Sequence, residues 1–206
     1  MRPSQVLGPH RVVPAVVLDD VARADDLGAA LVAGGLPVAE VTFRTPYAAD
    51  VLRRLAGNGE LLVGAGTVLT ARQVDQAHDA GARFVVSPGL SVEVVERCAD
   101  LGLPVVPGVT TASEIMRAMD LGLDLLKFFP AEPSGGLPAI RALAAVFPHL
   151  RFVPTGGITA ESAPAYLAHP AVAAVGGSWM VAAALLDAGR WDEVAALCAA
   201  AVGASR

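Results

Sequence analysis

The chain has 206 residues, 54% of them hydrophobic and 17% charged, with a net charge of −5. That length suits one domain able to bury most of its apolar surface, and the acidic balance offers no basic face to nucleic acid or anionic lipid. Cys98 and Cys198 lie far apart in helical segments and read as small apolar residues, a disulfide between them being the other reading.

Short apolar runs alternate with Ala-rich, helix-patterned stretches, the signature of a parallel α/β fold. In chain order, a strand at 12–17 leads to a helix at 21–34, 38–43 to 47–57, 61–65 to 70–80, and 83–86 to 91–101. Strand 103–106 then leads to helix 111–121, 124–128 to 136–146, 151–154 to 160–168, and 172–176 to a helical region at 179–202. Eight such units, repeating every roughly 20–27 residues, predict a (β/α)8 TIM barrel forming one domain over 1–206. A doubly wound open sheet is the alternative. A dinucleotide-binding version of it is disfavoured, since no Gly-x-Gly-x-x-Gly follows the first strand.

Turn chemistry agrees with these divisions. Gly34-Gly35, Gly81, Gly102 and Gly122 fall where helices need left-handed caps, and Asp19-Asp20, Thr70 and Thr159 where helices begin. The longest uncharged run, Pro170 to Leu186, is broken by Gly176-Gly177-Ser178 and is short for a membrane span. Met1-Arg2-Pro3-Ser4-Gln5 lacks the regions of a signal peptide, so a soluble cytoplasmic enzyme is expected.

The basic residues are fourteen arginines and a single lysine, Lys127. A lysine kept against that bias points to a need for a primary amine, because guanidinium stays protonated and is no nucleophile. Leu125-Leu126 and Phe128-Phe129 around it describe a buried strand. Alternation puts Leu125, Lys127 and Phe129 on one face, inside the barrel. The same rule turns Glu40, Thr42 and Arg44 inward and leaves Ala39, Val41 and Phe43 against the helices. A structural Glu–Arg or Glu–Lys pair would be the bland alternative, yet buried pairs add little stability. In such barrels chemistry gathers at the C-terminal ends of the strands. Thr155-Gly156-Gly157-Ile158 and Gly176-Gly177-Ser178 end the last two strands, the usual place for a phosphate or carboxylate on backbone N–H groups. Gly64-Ala65-Gly66-Thr67 and Ser87-Pro88-Gly89 end two others, where glycine lets the backbone approach a ligand. His10, His78, His149 and His169 are scattered without ligand spacing, so no metal site is expected.

The runs Glu40-Val41-Thr42-Phe43-Arg44-Thr45, Gly64-Ala65-Gly66-Thr67-Val68, Ser87-Pro88-Gly89, Lys127-Phe128-Phe129-Pro130-Ala131-Glu132, Pro154-Thr155-Gly156-Gly157-Ile158 and Gly176-Gly177-Ser178-Trp179 stand in one order and spacing. Together they closely resemble the bacterial 2-keto-3-deoxy-6-phosphogluconate (KDPG) / 4-hydroxy-2-oxoglutarate (KHG) aldolases. The resemblance implies a (β/α)8 barrel, a homotrimer, and a pyruvate Schiff base on Lys127 with Glu40 as acid/base and no other cofactor. By position it assigns Arg44 to the pyruvate carboxylate, Thr67 and Phe129 to the pyruvyl pocket and Pro88 to its wall. Thr155, Gly156, Gly157, Gly177 and Ser178 would hold the far end of the substrate. Leu18-Asp19 departs from relatives that carry an arginine there. A KDPG-cleaving class I aldolase is therefore expected, with KHG as a second substrate. A 2-keto-3-deoxy-6-phosphogalactonate aldolase, a non-imine phosphate-binding epimerase or isomerase, and a non-catalytic sensor are the alternatives.

Overall fold

Runs such as Val38-Ala39-Glu40-Val41-Thr42 are buried along their whole length, as strands of a parallel sheet covered by helices must be. A computed structural model describes residues 3–7 and 10–205. Met1 and Arg2, part of the segment expected to lack a leader, lie outside the described residues. The strands are β1 (Val12–Val16), β2 (Val38–Thr42), β3 (Leu62–Gly66), β4 (Val85–Val86), β5 (Val105–Val106), β6 (Gly108–Val109), β7 (Leu125–Phe128), β8 (Arg151–Pro154) and β9 (Val175–Gly177). The helices are α1 (Pro3–Val6), α2 (Ala24–Ala33), α3 (Ala48–Ala56), α4 (Ala71–Asp79), α5 (Val92–Asp100), α6 (Ala112–Asp120), α7 (Gly136–Val146), α8 (Ala163–Leu167), α9 (Ala183–Asp187) and α10 (Trp191–Gly203).

The strands form a six-stranded sheet in the order β5-β4-β3-β2-β1-β9 and a three-stranded sheet in the order β6-β7-β8. Every pairing is parallel. Single parallel bridges join Phe152 to Val172 and Thr155 to Gly176. The fold is thus an α/β fold whose parallel sheet is curled, bringing β2 of one sheet opposite β7 of the other. Helix faces cover the outside, with Val51, Leu52 and Leu55 of α3 and Val94, Val95 and Cys98 of α5 buried.

Four expectations need correction. The strand expected at 103–106 is two segments flanking Pro107, which has no N–H for the ladder, although its carbonyl accepts from Lys127 N at 2.9 Å. The strand expected at 172–176 joins its ladder only from Val175, with Val172 in an isolated bridge. The helix expected at 160–168 shortens to α8, its first turn occupied by Thr159 and Ser162 bonding each other. The region expected at 179–202 breaks into a 3-10 turn (Trp179–Val181), α9 and α10, with Gly189 left-handed at φ 65° before the last. The expected caps fare better. Gly35, Gly81, Gly102 and Gly122 all have positive φ, Asp20 caps a 3-10 turn, and Thr70 accepts from Gln73 N. Cys98 and Cys198 are free and buried, and burial pushes both thiols up to about 12.

Candidate active site

Period-2 alternation carries Glu40 and Lys127 to the inner face, where they meet across the curl. Lys127 Nζ lies 3.3 Å from Glu40 Oε1, with the two residues only 5% and 3% exposed. That separation is longer than the tightest charge-assisted bonds, so both groups retain capacity for another partner. The Phe129 ring centroid is 5.0 Å from Nζ. Leu7, Val13, Phe84, Val86, Val106 and Val153 pack around the pair, leaving about 10 Å³ of free space. An ion pair walled by apolar side chains is costly to bury. The pair stands between strands of the two sheets rather than in a surface network.

Above this chamber a cavity of about 360 Å³ opens at the C-terminal ends of the strands. Arg44, Phe129, Thr155, Gly156, Gly157, Gly177 and Ser178 line it, together with Ala15, Val17, Thr42, Ile158 and Gly176. Thr155 is shared between cavity and chamber, so the two spaces meet at its side chain. Lys127 and Glu40 stand beneath the floor rather than in the wall. The expected grouping of Arg44 with the strand interior needs refinement. β2 ends at Thr42, the Arg44 N–H bonds back to the Thr42 carbonyl at 2.8 Å, and the guanidinium stands exposed at the mouth. It has no ion-pair or hydrogen-bond partner among the described residues, leaving its donors open to an anion.

The turn after β8 lines the same cavity. Gly156 and Gly157 are left-handed, with φ 100° and 84°. The N–H groups of Gly157 and Ile158 have no acceptor among the described residues. Consecutive free N–H groups in such a turn form an anion-binding concavity. Ser178, exposed and just past β9, faces it across the cavity.

Two expected site residues stand apart. Thr67 and Pro88 follow β3 and β4 at the same end of the fold but do not line the cavity. Thr67 does adopt φ 55°, a left-handed backbone that a β-branched residue rarely takes and that tends to mark functional loops. Val181, Ala182 and Ala183 complete the cavity wall, and nothing in an Ala-rich run of sequence distinguishes a wall from a helix surface. A larger surface depression of about 640 Å³ lies over α2 and α3, outside the sheets, its charges already matched as Arg54–Asp25 and Arg53–Asp50 pairs. No three His, Cys, Asp or Glu side chains gather as a metal site among the described residues. No helix is long and apolar enough to cross a membrane among the described residues.

The chain is similar to known proteins over most of its length. The pattern of the KDPG and KHG aldolase family matches residues 4–197. A 2-dehydro-3-deoxy-phosphogluconate aldolase of Zymomonas mobilis is 47% identical over 184 residues, 89% of this chain and 88% of the relative. The crystal structure of the 2-keto-3-deoxy-6-phosphogluconate aldolase of Zymomonas mobilis ZM4 with 3-phosphoglycerate superposes with a TM-score of 0.92 at 45% identity, covering 97% of this chain and 94% of that one. The KDPG aldolase of Legionella pneumophila, with pyruvate captured at low pH as a covalent carbinolamine intermediate, gives a TM-score of 0.94 at 40% identity, covering 97% and 98%.

Proposed function

The chain belongs to the KDPG and KHG aldolase family, and we propose that it cleaves 2-keto-3-deoxy-6-phosphogluconate reversibly into pyruvate and glyceraldehyde 3-phosphate through an imine on Lys127. The observation that carries this is the buried Lys127–Glu40 pair at 3.3 Å beneath a cavity with a free guanidinium and a free N–H turn. An epimerase or isomerase would use the turn but would have no reason to bury the chain's one primary side-chain amine beside a carboxylate.

Each group then has a task. The Lys127 amine attacks the C2 ketone, and loss of water gives a protonated imine that acts as the electron sink. Glu40, directly or through a water, removes the proton of the C4 hydroxyl. The C3–C4 bond breaks, its electrons form the enamine, and the aldehyde leaves. A proton returned to the methylene carbon by Glu40, then hydrolysis of the imine, frees pyruvate and the amine. Positioned acid–base help of this kind is worth about 10²–10⁴ in rate. Arg44 is suited to hold the ketoacid carboxylate by a bidentate pair, fixing its orientation. Thr67, Phe129 and Pro88 would shape the pyruvyl end. Thr155, Gly156, Gly157, Gly177 and Ser178 would receive the phosphate, or the second carboxylate of KHG. Because the lysine is the electron sink, the reaction as proposed calls for no metal or organic cofactor.

We also read the two sheets as one closed (β/α)8 barrel forming a single domain. Supporting this, β5 and β6 run on through Pro107, and Thr155 bridges to Gly176 between β8 and β9. The homotrimer implied by the resemblance is tested by light scattering of the purified protein.

The direct assay couples pyruvate release to lactate dehydrogenase. KDPG should support turnover, KHG less, and the galactonate epimer least. No pyruvate from any of the three would contradict the proposal, and preference for the epimer would reassign the substrate.

A further inference from the structure

The segment after β7 carries a carboxylate that the mechanism does not use. Glu132 is exposed and lies outside the cavity lining, yet its side chain accepts a 2.5 Å hydrogen bond from the hydroxyl of Tyr166, which is only 3% exposed on α8. Its stem presses on the turn after β8. A Cβ built on Gly157 would meet Glu132 Cβ and Cγ at 2.7 Å, and one on Gly156 would meet Pro130 Cα at 3.1 Å. Two backbone bonds hold the same seam, Ala131 N to Thr155 O at 2.8 Å and Glu132 N to Gly156 O at 3.0 Å. The other side of Glu132 is equally tight. A Cβ on Gly136 would meet Tyr166 Oη at 2.9 Å and Glu132 Oε2 at 3.5 Å.

Two adjacent left-handed glycines have the least intrinsic reason of any dipeptide to hold one shape. An anion nest works only if its N–H groups are already aimed when the ligand arrives. The shape must therefore come from outside the turn, and the side chain wedged against Gly157 is that of Glu132. Tyr166 keeps that wedge in place. Burial first, and then the bond to Glu132, hold the phenol well above its ordinary range, so it remains a donor at any working pH.

We propose that Glu132, clamped by Tyr166, is a positioning residue that sets the Gly156-Gly157 turn and so determines how strongly the enzyme prefers a phosphorylated aldehyde. The inference rests on the aldolase reading of the site. It adds a specificity element that touches neither substrate nor reacting atoms. A brace that served stability alone would lower activity towards all aldehydes alike.

The test is the condensation reaction, with pyruvate and either glyceraldehyde 3-phosphate or unphosphorylated glyceraldehyde as acceptor. Three variants are compared with the parent: Tyr166→Phe, Glu132→Ala and Glu132→Gln. Because Glu132 is exposed, its replacements keep the test open if Tyr166→Phe does not fold. For Tyr166→Phe and Glu132→Ala, KM for glyceraldehyde 3-phosphate should rise about tenfold, while KM for pyruvate and kcat/KM for unphosphorylated glyceraldehyde change less than about twofold. Glu132→Gln, which keeps the stem and an oxygen acceptor, should recover most of the loss. Equal losses for both aldehydes, or no change for either, would overturn the proposal while the parent's borohydride-trapped pyruvate adduct leaves the aldolase reading standing. A parent that forms no such adduct overturns both.

Discussion

Gly66, the last residue of β3, lies flat against the carboxylate of Glu40 on β2. A Cβ at Gly66 would fall 2.3 Å from Glu40 Oε1 and 2.5 Å from its Cγ. The glycine therefore makes room for a side chain of the protein, not for a ligand, and fixes where the carboxylate can reach. Gly66→Ala should displace Glu40 by an ångström or so, lowering kcat about 10²-fold. Overpacking should also cost about 1–3 kcal/mol of stability. Steady-state kinetics and thermal unfolding read the two effects, and a fully active, equally stable variant would remove Gly66 from this role.

Replacing either member of the buried pair separates imine formation from proton transfer. Lys127→Arg keeps a positive charge beside Glu40 but supplies no nucleophile, so turnover should vanish while far-UV circular dichroism stays that of the parent. Glu40→Gln should still bind pyruvate and lose about 10²–10⁴ in kcat. Appreciable turnover of the arginine variant would rule out the lysine as nucleophile. An unchanged kcat for Glu40→Gln would relieve the carboxylate of its part.

Ser178 tests the far end of the cavity. Ser178→Asp puts a carboxylate opposite the free N–H turn, where it should repel a phosphate. KM for glyceraldehyde 3-phosphate should rise about tenfold, a modest figure because the residue is exposed and salt screens it. KM for pyruvate should be nearly constant. Parallel rises in both would place the phosphate elsewhere.

Away from the site, α6 offers a check on pH. Glu114 completes a capping box, accepting from Thr110 N at 2.8 Å and Thr111 N at 2.9 Å. Burial raises its carboxyl, but these N–H bonds and the two threonine hydroxyls outweigh it and hold the group below the usual range. A carboxyl depressed in the folded state adds stability that is present above its unfolded pKa and lost as pH falls through the folded one. Glu114→Gln should therefore cost about 1 kcal/mol at neutral pH, with the gap to the parent closing below about pH 4. Thermal unfolding across that range checks it, and a gap that persists in acid would mean the charge contributes nothing.

Much of the site can be read from residue order alone. Fourteen arginines beside one lysine single out Lys127, and strand alternation turns it and Glu40 to the same side without any coordinates. The caps at Gly35, Gly81, Gly102 and Gly122 follow from glycine's freedom at positive φ. Other features depend on what packs against what. The gap at Pro107 comes from one missing N–H, and Arg44 leaves the inward face because β2 stops at Thr42. The meaning of Gly66 depends on a side chain from another strand, and Tyr166 reaches Glu132 across 34 positions of sequence. Val181, Ala182 and Ala183 wall the cavity only because the helix expected there breaks.

The central claim is covalent, and one experiment addresses it directly. The protein is incubated with pyruvate, reduced with borohydride, and examined by intact mass and peptide mapping. With one lysine in the chain, only the N-terminal amine competes as a site. A single reduced pyruvate adduct is expected on the peptide containing Lys127, formed by the parent and absent from Lys127→Arg. No adduct on folded protein, or an adduct confined to the N-terminus, would contradict it.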